Sequence, residues 1–189
     1  MNLANQLTML RIVLALAVFW ALMRGSAAGH LAALFLFLAA IATDWVDGWV
    51  ARRMNTISAF GKVADPAADK ILVLGALIAL IRTKELEIPL WGVFLIIARD
   101  LLVGALRTLA AVQGRVLAAE RWGKWKMGTQ SASVALMLLI VVVTERFPAA
   151  PVWLPRLPYH LTVLCVLVTW GSAALYFRQN RKMIQSSWS

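Results

Sequence analysis

Residues 44–52 read Asp-Trp-Val-Asp-Gly-Trp-Val-Ala-Arg, and Gly61, Asp65 and Asp69 follow. The stretch from Asp44 to Asp69 holds four of the nine acidic residues in the chain. In a helix, positions i, i+3, i+4, i+7 and i+8 share one face, so Asp44, Asp47, Gly48, Ala51 and Arg52 form a single stripe of two carboxylates, two small residues and an arginine. Asp65 and Asp69 stand at i and i+4, which puts their carboxylates on one face as well. The flanking apolar runs, roughly 29–43 and 71–81, fall short of the ~20 residues needed to cross a bilayer. Each reaches that length only by taking in part of the acidic stretch. Carboxylates beside membrane spans cost about 2.5 to 3.5 kcal/mol each, so four in one place call for a compensating cation.

Composition supports the membrane reading. Of 189 residues, 61% are hydrophobic, and the mean hydropathy of +0.76 lies far above that of soluble domains. Further apolar runs at roughly 6–23, 88–113, 131–143 and 159–177 bring the expected total to six transmembrane helices in an all-α bundle, with residues 1–189 forming one domain. Breaks are expected at 25–29, 55–61, 83–89, 114–123 and 148–158, where Gly, Pro and polar residues gather. No charged leader with a small-residue cleavage site precedes the first run, so it is read as a permanent helix. The one cysteine, Cys165, excludes an intrachain disulfide.

A net charge of +10 could suggest nucleic acid, but the basic residues follow the connections between spans rather than one face. Arg52, Arg53 and Lys62 follow the second run, Arg115, Arg121, Lys124 and Lys126 the fourth, and Arg178, Arg181 and Lys182 the last. The positive-inside rule then places both termini and the acidic stretch in the cytoplasm. No nucleic acid is expected as a partner.

Crowded carboxylates repel one another unless a divalent ion neutralises them, and hard oxygen ligands select Mg²⁺, Mn²⁺ or Ca²⁺ over zinc. One or two such ions are expected. Paired ions typically act on phosphates. Gly48 and Ala51 would let a bulky ligand approach the helix, and Arg52 could grip a diphosphate. Structural readings exist residue by residue: Asp65 before Pro66 suits a helix N-cap, and Asp44 and Asp47 could pair with Arg52 and Arg53. None of them accounts for the joint spacing.

That spacing, Asp-x2-Asp-Gly-x2-Ala-Arg-x8-Gly-x3-Asp-x3-Asp, resembles the signature of the CDP-alcohol phosphatidyltransferase family at all eight positions. The resemblance implies a six-helix integral membrane enzyme, usually a homodimer, that moves a phosphatidyl group from CDP-diacylglycerol to an alcohol and releases CMP. It implies Mg²⁺ or Mn²⁺ ligands at Asp44, Asp47, Asp65 and Asp69, a general base at Asp69, and contacts to the cytidine diphosphate at Gly48, Ala51, Arg52 and Gly61. It also implies a place in a bacterial inner membrane, with the site facing the cytoplasm.

The acceptor is read from the basic residues. Arg99, Arg107, Lys124 and Lys126 lie toward the cytoplasmic end of the fourth and fifth runs and could bind an acceptor phosphate, Arg99 and Arg107 being two turns apart on one face. Arg99 could instead pair locally with Asp100, and the lysines could meet lipid headgroups. The resemblance narrows here to the branch of the family that uses sn-glycerol 3-phosphate. Asn5, Leu7, Thr8 and Arg11 are similar to its N-terminal Asn-x-Leu-Thr-x-x-Arg, with Thr8 and Arg11 as possible contributors to the site. Asp65-Pro66-Ala67-Ala68-Asp69-Lys70, Ala98-Arg99-Asp100 through Arg107, and Gly123-Lys124-Trp125-Lys126 through Gln130 match it too. Ala4, Asp100 and Met127 depart from that branch, which usually has proline, glutamate and threonine there. Sister enzymes acting on serine, inositol phosphate or phosphatidylglycerol share the whole acidic motif, and a divalent-cation transporter is the alternative outside the family.

Overall fold

The structure is a computed structural model that describes the backbone of residues 3–54, 59–84, 86–112, 121–147 and 149–181, and the side chains of 6–44, 64–84, 86–111, 125–147 and 149–181. Among the described residues there are six α-helices and no strand: α1 (Leu3–Met23), α2 (Ala27–Met54), α3 (Ala59–Leu80), α4 (Leu90–Val112), α5 (Arg121–Arg146) and α6 (Leu157–Gln179). A 3-10 turn, Leu154–Arg156, leads into α6.

The expected breaks near 25, at 83–89 and at 149–156 coincide with connections between these helices, whereas 27–29, 59–61 and 121–123 are helical, and 55–58 and 114–120 lie outside the described residues. At the first, Gly25 takes φ +59°, the left-handed region that glycine enters freely, and its N–H donates to the Leu22 carbonyl. The Ser26 hydroxyl then accepts from the Gly29 N–H at 3.2 Å, capping α2. The acidic stretch is helical on both sides of 55–58. α2 runs on through Asp44 and Asp47 to Met54, as the short apolar run requires.

One local reading is corrected. Asp65 is no N-cap, because α3 starts at Ala59 and carries Pro66 in its interior. Pro66 lacks one intrahelical N–H donor, a loss a long packed helix can absorb. α5 likewise starts earlier than its apolar run, so Lys126 stands on the helix rather than in the preceding connection.

By length and composition four helices can cross a membrane: Gln6–Met23, Ala27–Asp44, Trp125–Arg146 and Leu154–Gln179. α3 and α4 are equally long, but Asp65, Asp69 and Lys70 interrupt the first and Arg99, Asp100 and Arg107 the second. The two helices that fall short of an apolar span carry several of the charged side chains described below, and α1, α2 and α5 carry the others.

α1 packs against α2 and α3, α4 and α5 against α6, and α5 joins the two groups through α2 and α3. The core holds Val18, Phe37, Leu77, Leu80, Ile96, Met137, Leu138 and Val141, all essentially inaccessible. Outside it the surface is apolar: Trp20, Phe35, Phe94 and Leu101 are each more than 60% exposed, a pattern suited to lipid rather than water. Because successive helices alternate in direction, the first halves of α1, α3 and α5 meet the second halves of α2, α4 and α6 at one end of the bundle. Nearly all the buried charge collects there.

Candidate functional site

α1 supplies the centre. Arg11 is 1% exposed, and its guanidinium bridges two helices, Nη2 lying 2.8 Å from Asp44 Oδ1 on α2 and Nη1 2.9 Å from Asp69 Oδ1 on α3. One turn earlier on α1, the fully buried Thr8 hydroxyl donates to Asp65 Oδ1. Three of the four sequence-predicted aspartates are therefore drawn together by two α1 residues, which the sequence suggested only as possible contributors. The side chains of Asp47, Gly48, Ala51, Arg52, Gly61 and Lys124 lie outside the described residues, although their backbones continue α2, α3 and α5.

A second polar centre lies across the bundle. Asp100, 3% exposed, accepts from Lys126 Nζ on α5 and from Arg99 Nη1 at 3.2 Å. Arg99 also donates from Nη2 to Ser172 Oγ at 2.6 Å and from Nε to the Thr169 carbonyl at 3.0 Å, tying α4 to α6. Gln130 reaches the Thr169 hydroxyl from α5. Arg107, exposed to solvent, lies over the Tyr176 ring with 5.8 Å to its centroid. The local Arg99–Asp100 pair named in the sequence reading is present, and it is one contact of a larger buried network. Asp100 itself was visible in the sequence only as a partner for Arg99. Its role as a hub needs α5, which no short-range pattern reveals.

Two cavities open on these centres. One of about 240 Å³ is lined by Arg11, Asp44 and Asp69 together with Met127, Gly128 and Ser131. The other, about 690 Å³, brings Asp65 and Asp69 into the same space as Lys70, Arg99, Arg107 and Lys126. Asp69 lines both, 27% exposed, and so stands where the motif side meets the basic side.

No cluster of three acidic or histidine side chains around one point occurs among the described residues. What occurs is a pair of carboxylates on two helices bridged by a buried cation, with a third carboxylate one turn away. The donor set is entirely oxygen, and Arg11 shows that the space between α2 and α3 is built for positive charge. These residues fit a hard divalent ion.

The sequence profile of the CDP-alcohol phosphatidyltransferase family matches residues 1–171. The chain belongs to the CDP-alcohol phosphatidyltransferase family. The CDP-diacylglycerol–glycerol-3-phosphate 3-phosphatidyltransferase of Bacillus subtilis (strain 168) is 36% identical to it over 98% of each chain. The enzyme of the same name from Pseudomonas fluorescens is 33% identical over 94% of this chain and 89% of its own. A cardiolipin synthase (CMP-forming) of Oryza sativa subsp. japonica is 39% identical, over 54% of this chain and 35% of its own. Membership makes the chain a CDP-diacylglycerol-dependent phosphatidyltransferase.

Proposed function

We propose that the chain transfers the phosphatidyl group of CDP-diacylglycerol to sn-glycerol 3-phosphate, giving phosphatidylglycerophosphate and CMP. The observation that carries this reading is the 690 Å³ cavity in which Asp65 and Asp69 face four basic side chains. An acceptor that bears its own phosphate suits a wall on which Lys70 and Arg107 stand beyond the Arg99 and Lys126 held by Asp100. The full-length relatives named for glycerol 3-phosphate support the same acceptor.

In this reading the acceptor lies in the larger cavity, its phosphate toward the basic wall and its primary hydroxyl toward Asp69. CDP-diacylglycerol approaches from the α2 side, with Gly48, Ala51, Arg52 and Gly61 against the cytidine diphosphate. The hydroxyl oxygen forms a bond to the β-phosphorus as the bond from that phosphorus to the bridging oxygen breaks and CMP leaves. Asp69 takes the hydroxyl proton. Arg11 orients Asp69 through the 2.9 Å contact, which keeps the carboxylate aimed at the junction of the two cavities. Asp44, Asp47, Asp65 and Asp69 would hold one or two Mg²⁺ or Mn²⁺ ions, whose chemistry is to neutralise the diphosphate and polarise a phosphoryl oxygen.

The setting follows from the same reading. All six helices cross a bacterial inner membrane, α3 and α4 turning their charged residues inward, with both termini and the site on the cytoplasmic side. Each chain is one domain, and the working unit is a homodimer. The test is to incubate purified protein with CDP-diacylglycerol and Mg²⁺, offer glycerol 3-phosphate, serine, inositol phosphate, inositol or phosphatidylglycerol, and identify the lipid formed. Phosphatidylglycerophosphate from glycerol 3-phosphate alone is expected. A product from another acceptor would keep the transfer chemistry and overturn the acceptor.

A further inference from the structure

We propose that Lys70 is the residue that binds the acceptor's phosphate, an inference that rests on the proposed transfer to glycerol 3-phosphate and assigns the basic wall residue by residue. Four cations line the cavity beside Asp65 and Asp69, but they are not equally available. Arg99 spends its guanidinium on Asp100, Ser172 and Thr169. Lys126 is 4% exposed and held by the Asp100 carboxylate. Both are walls of the cavity, positioned by a buried counterion. Arg107 is drawn toward the Tyr176 ring on α6.

Lys70 differs from all three. It is half-buried, has no acidic side chain within ion-pair distance among the described residues, and makes one long hydrogen bond, 3.4 Å from Nζ to the Asp100 main-chain carbonyl. An ammonium has three donors, so most of its capacity faces the cavity. α4 presents Gly104 at this point, where a Cβ would stand 3.5 Å from Lys70 Nζ, and the missing side chain leaves the charge open to a ligand. α3 and α4 hardly touch each other, so the space between them is the cavity itself.

The neighbour of Lys70 completes the argument. Successive helical residues point about 100° apart, and here Asp69 turns to Arg11 on α1 while Lys70 turns to α4. The group that takes a proton from the acceptor's hydroxyl and the group that binds its phosphate are thus consecutive residues, suited to the two ends of a three-carbon phosphate ester.

The experiment measures initial rates of CMP release by the purified, Mg²⁺-supplied protein, varying glycerol 3-phosphate and CDP-diacylglycerol in turn. Lys70→Met keeps the stem and removes the charge. It should raise KM for glycerol 3-phosphate roughly ten- to hundredfold, the scale of one charge-assisted hydrogen bond, and leave KM for CDP-diacylglycerol within about twofold. Lys70→Arg should recover most of the loss. A Lys70→Met enzyme with an unchanged KM for glycerol 3-phosphate, or with both constants raised alike, would overturn the inference. Should Lys70→Met not fold, Gly104→Val decides the matter by crowding the ammonium: a selective rise in the same KM supports the role and an unaltered one refutes it. Failure of the transfer reading is told apart by the unsubstituted protein, which would then release no CMP in response to glycerol 3-phosphate.

Discussion

Asp69 and Arg11 concentrate the chemistry at the scale of the residue. Among the described residues Asp69 is the one carboxylate that lines both cavities, and replacing one of its carboxylate oxygens by an amide nitrogen removes the base with little change of volume. Asp69→Asn is expected to abolish CMP release while the protein keeps its helical circular dichroism and its elution position. Retained turnover would remove Asp69 from the proton transfer. Arg11 predicts something different, because its buried guanidinium is the charge that compensates the half-exposed Asp44 and the partly buried Asp69 together, and removing it leaves two neighbouring carboxylates uncompensated. Arg11→Gln should lower the thermal unfolding temperature in chelator, and Mg²⁺ should restore more of it than it adds to the unsubstituted protein, since a divalent ion between the aspartates can take over the charge. Equal Mg²⁺ effects on both proteins would argue against an ion at these carboxylates. Asp44, Asp65 and Asp69 were legible in the sequence as a spacing. That Arg11 and Thr8 close on them was legible only as a short N-terminal resemblance, because a contact between residues 11 and 69 leaves no periodic trace.

Helices set where these residues meet, and two glycines set how closely the helices approach. A Cβ on Gly29 would lie 2.5 Å from the Ala21 carbonyl oxygen, where α2 crosses α1, and one on Gly92 would lie 2.6 Å from Thr162 Cγ2, where α4 crosses α6. Backbone cannot rotate aside. Thr162 is pinned as well, its hydroxyl donating to the Pro158 carbonyl at 2.8 Å. Gly29→Ala and Gly92→Ala should each destabilise by about 1 to 3 kcal/mol, read as a fall in melting temperature in detergent. Gly75→Ala, with nothing within 4 Å of its Cβ, should be neutral or stabilising by up to about 1 kcal/mol. The same melting temperature for all three variants would contradict the packing described. At this scale the sequence located the connections after α1, α3 and α5, since Gly25, Pro89 and the prolines before α6 punctuate the apolar runs, while 55–58 and 113–120 lie outside the described residues. It misjudged the starts of α3 and α5, because Gly61 and Lys62 near the start of α3, and Arg121, Gly123 and Lys124 at the start of α5, look like parts of the preceding connections by composition alone.

Across the whole molecule, opposite ends of the bundle differ in chemistry. The acidic and basic centres lie at the end where the first halves of the odd-numbered helices meet the second halves of the even-numbered ones. At the far end stand the His30–Glu145 pair at 2.7 Å, the turn linking α3 to α4, and the exposed Trp153, an interfacial type of residue. Composition alone made the chain a membrane protein. The partition of the site into two cavities could not be read from it, because each wall draws on helices far apart in sequence. In the proposed reaction those cavities work together: with Asp69 as base at their junction, the hydroxyl of a phosphorylated acceptor on the basic side attacks the β-phosphorus of CDP-diacylglycerol held on the motif side. The most direct test is the rate of CMP release from CDP-diacylglycerol by the purified protein in Mg²⁺, as glycerol 3-phosphate is raised from zero. The proposed reaction requires essentially no release without acceptor, saturable release with it, and loss of both the signal and its saturation in chelator. Release that is independent of glycerol 3-phosphate, or none with any acceptor in Mg²⁺ or Mn²⁺, would contradict it.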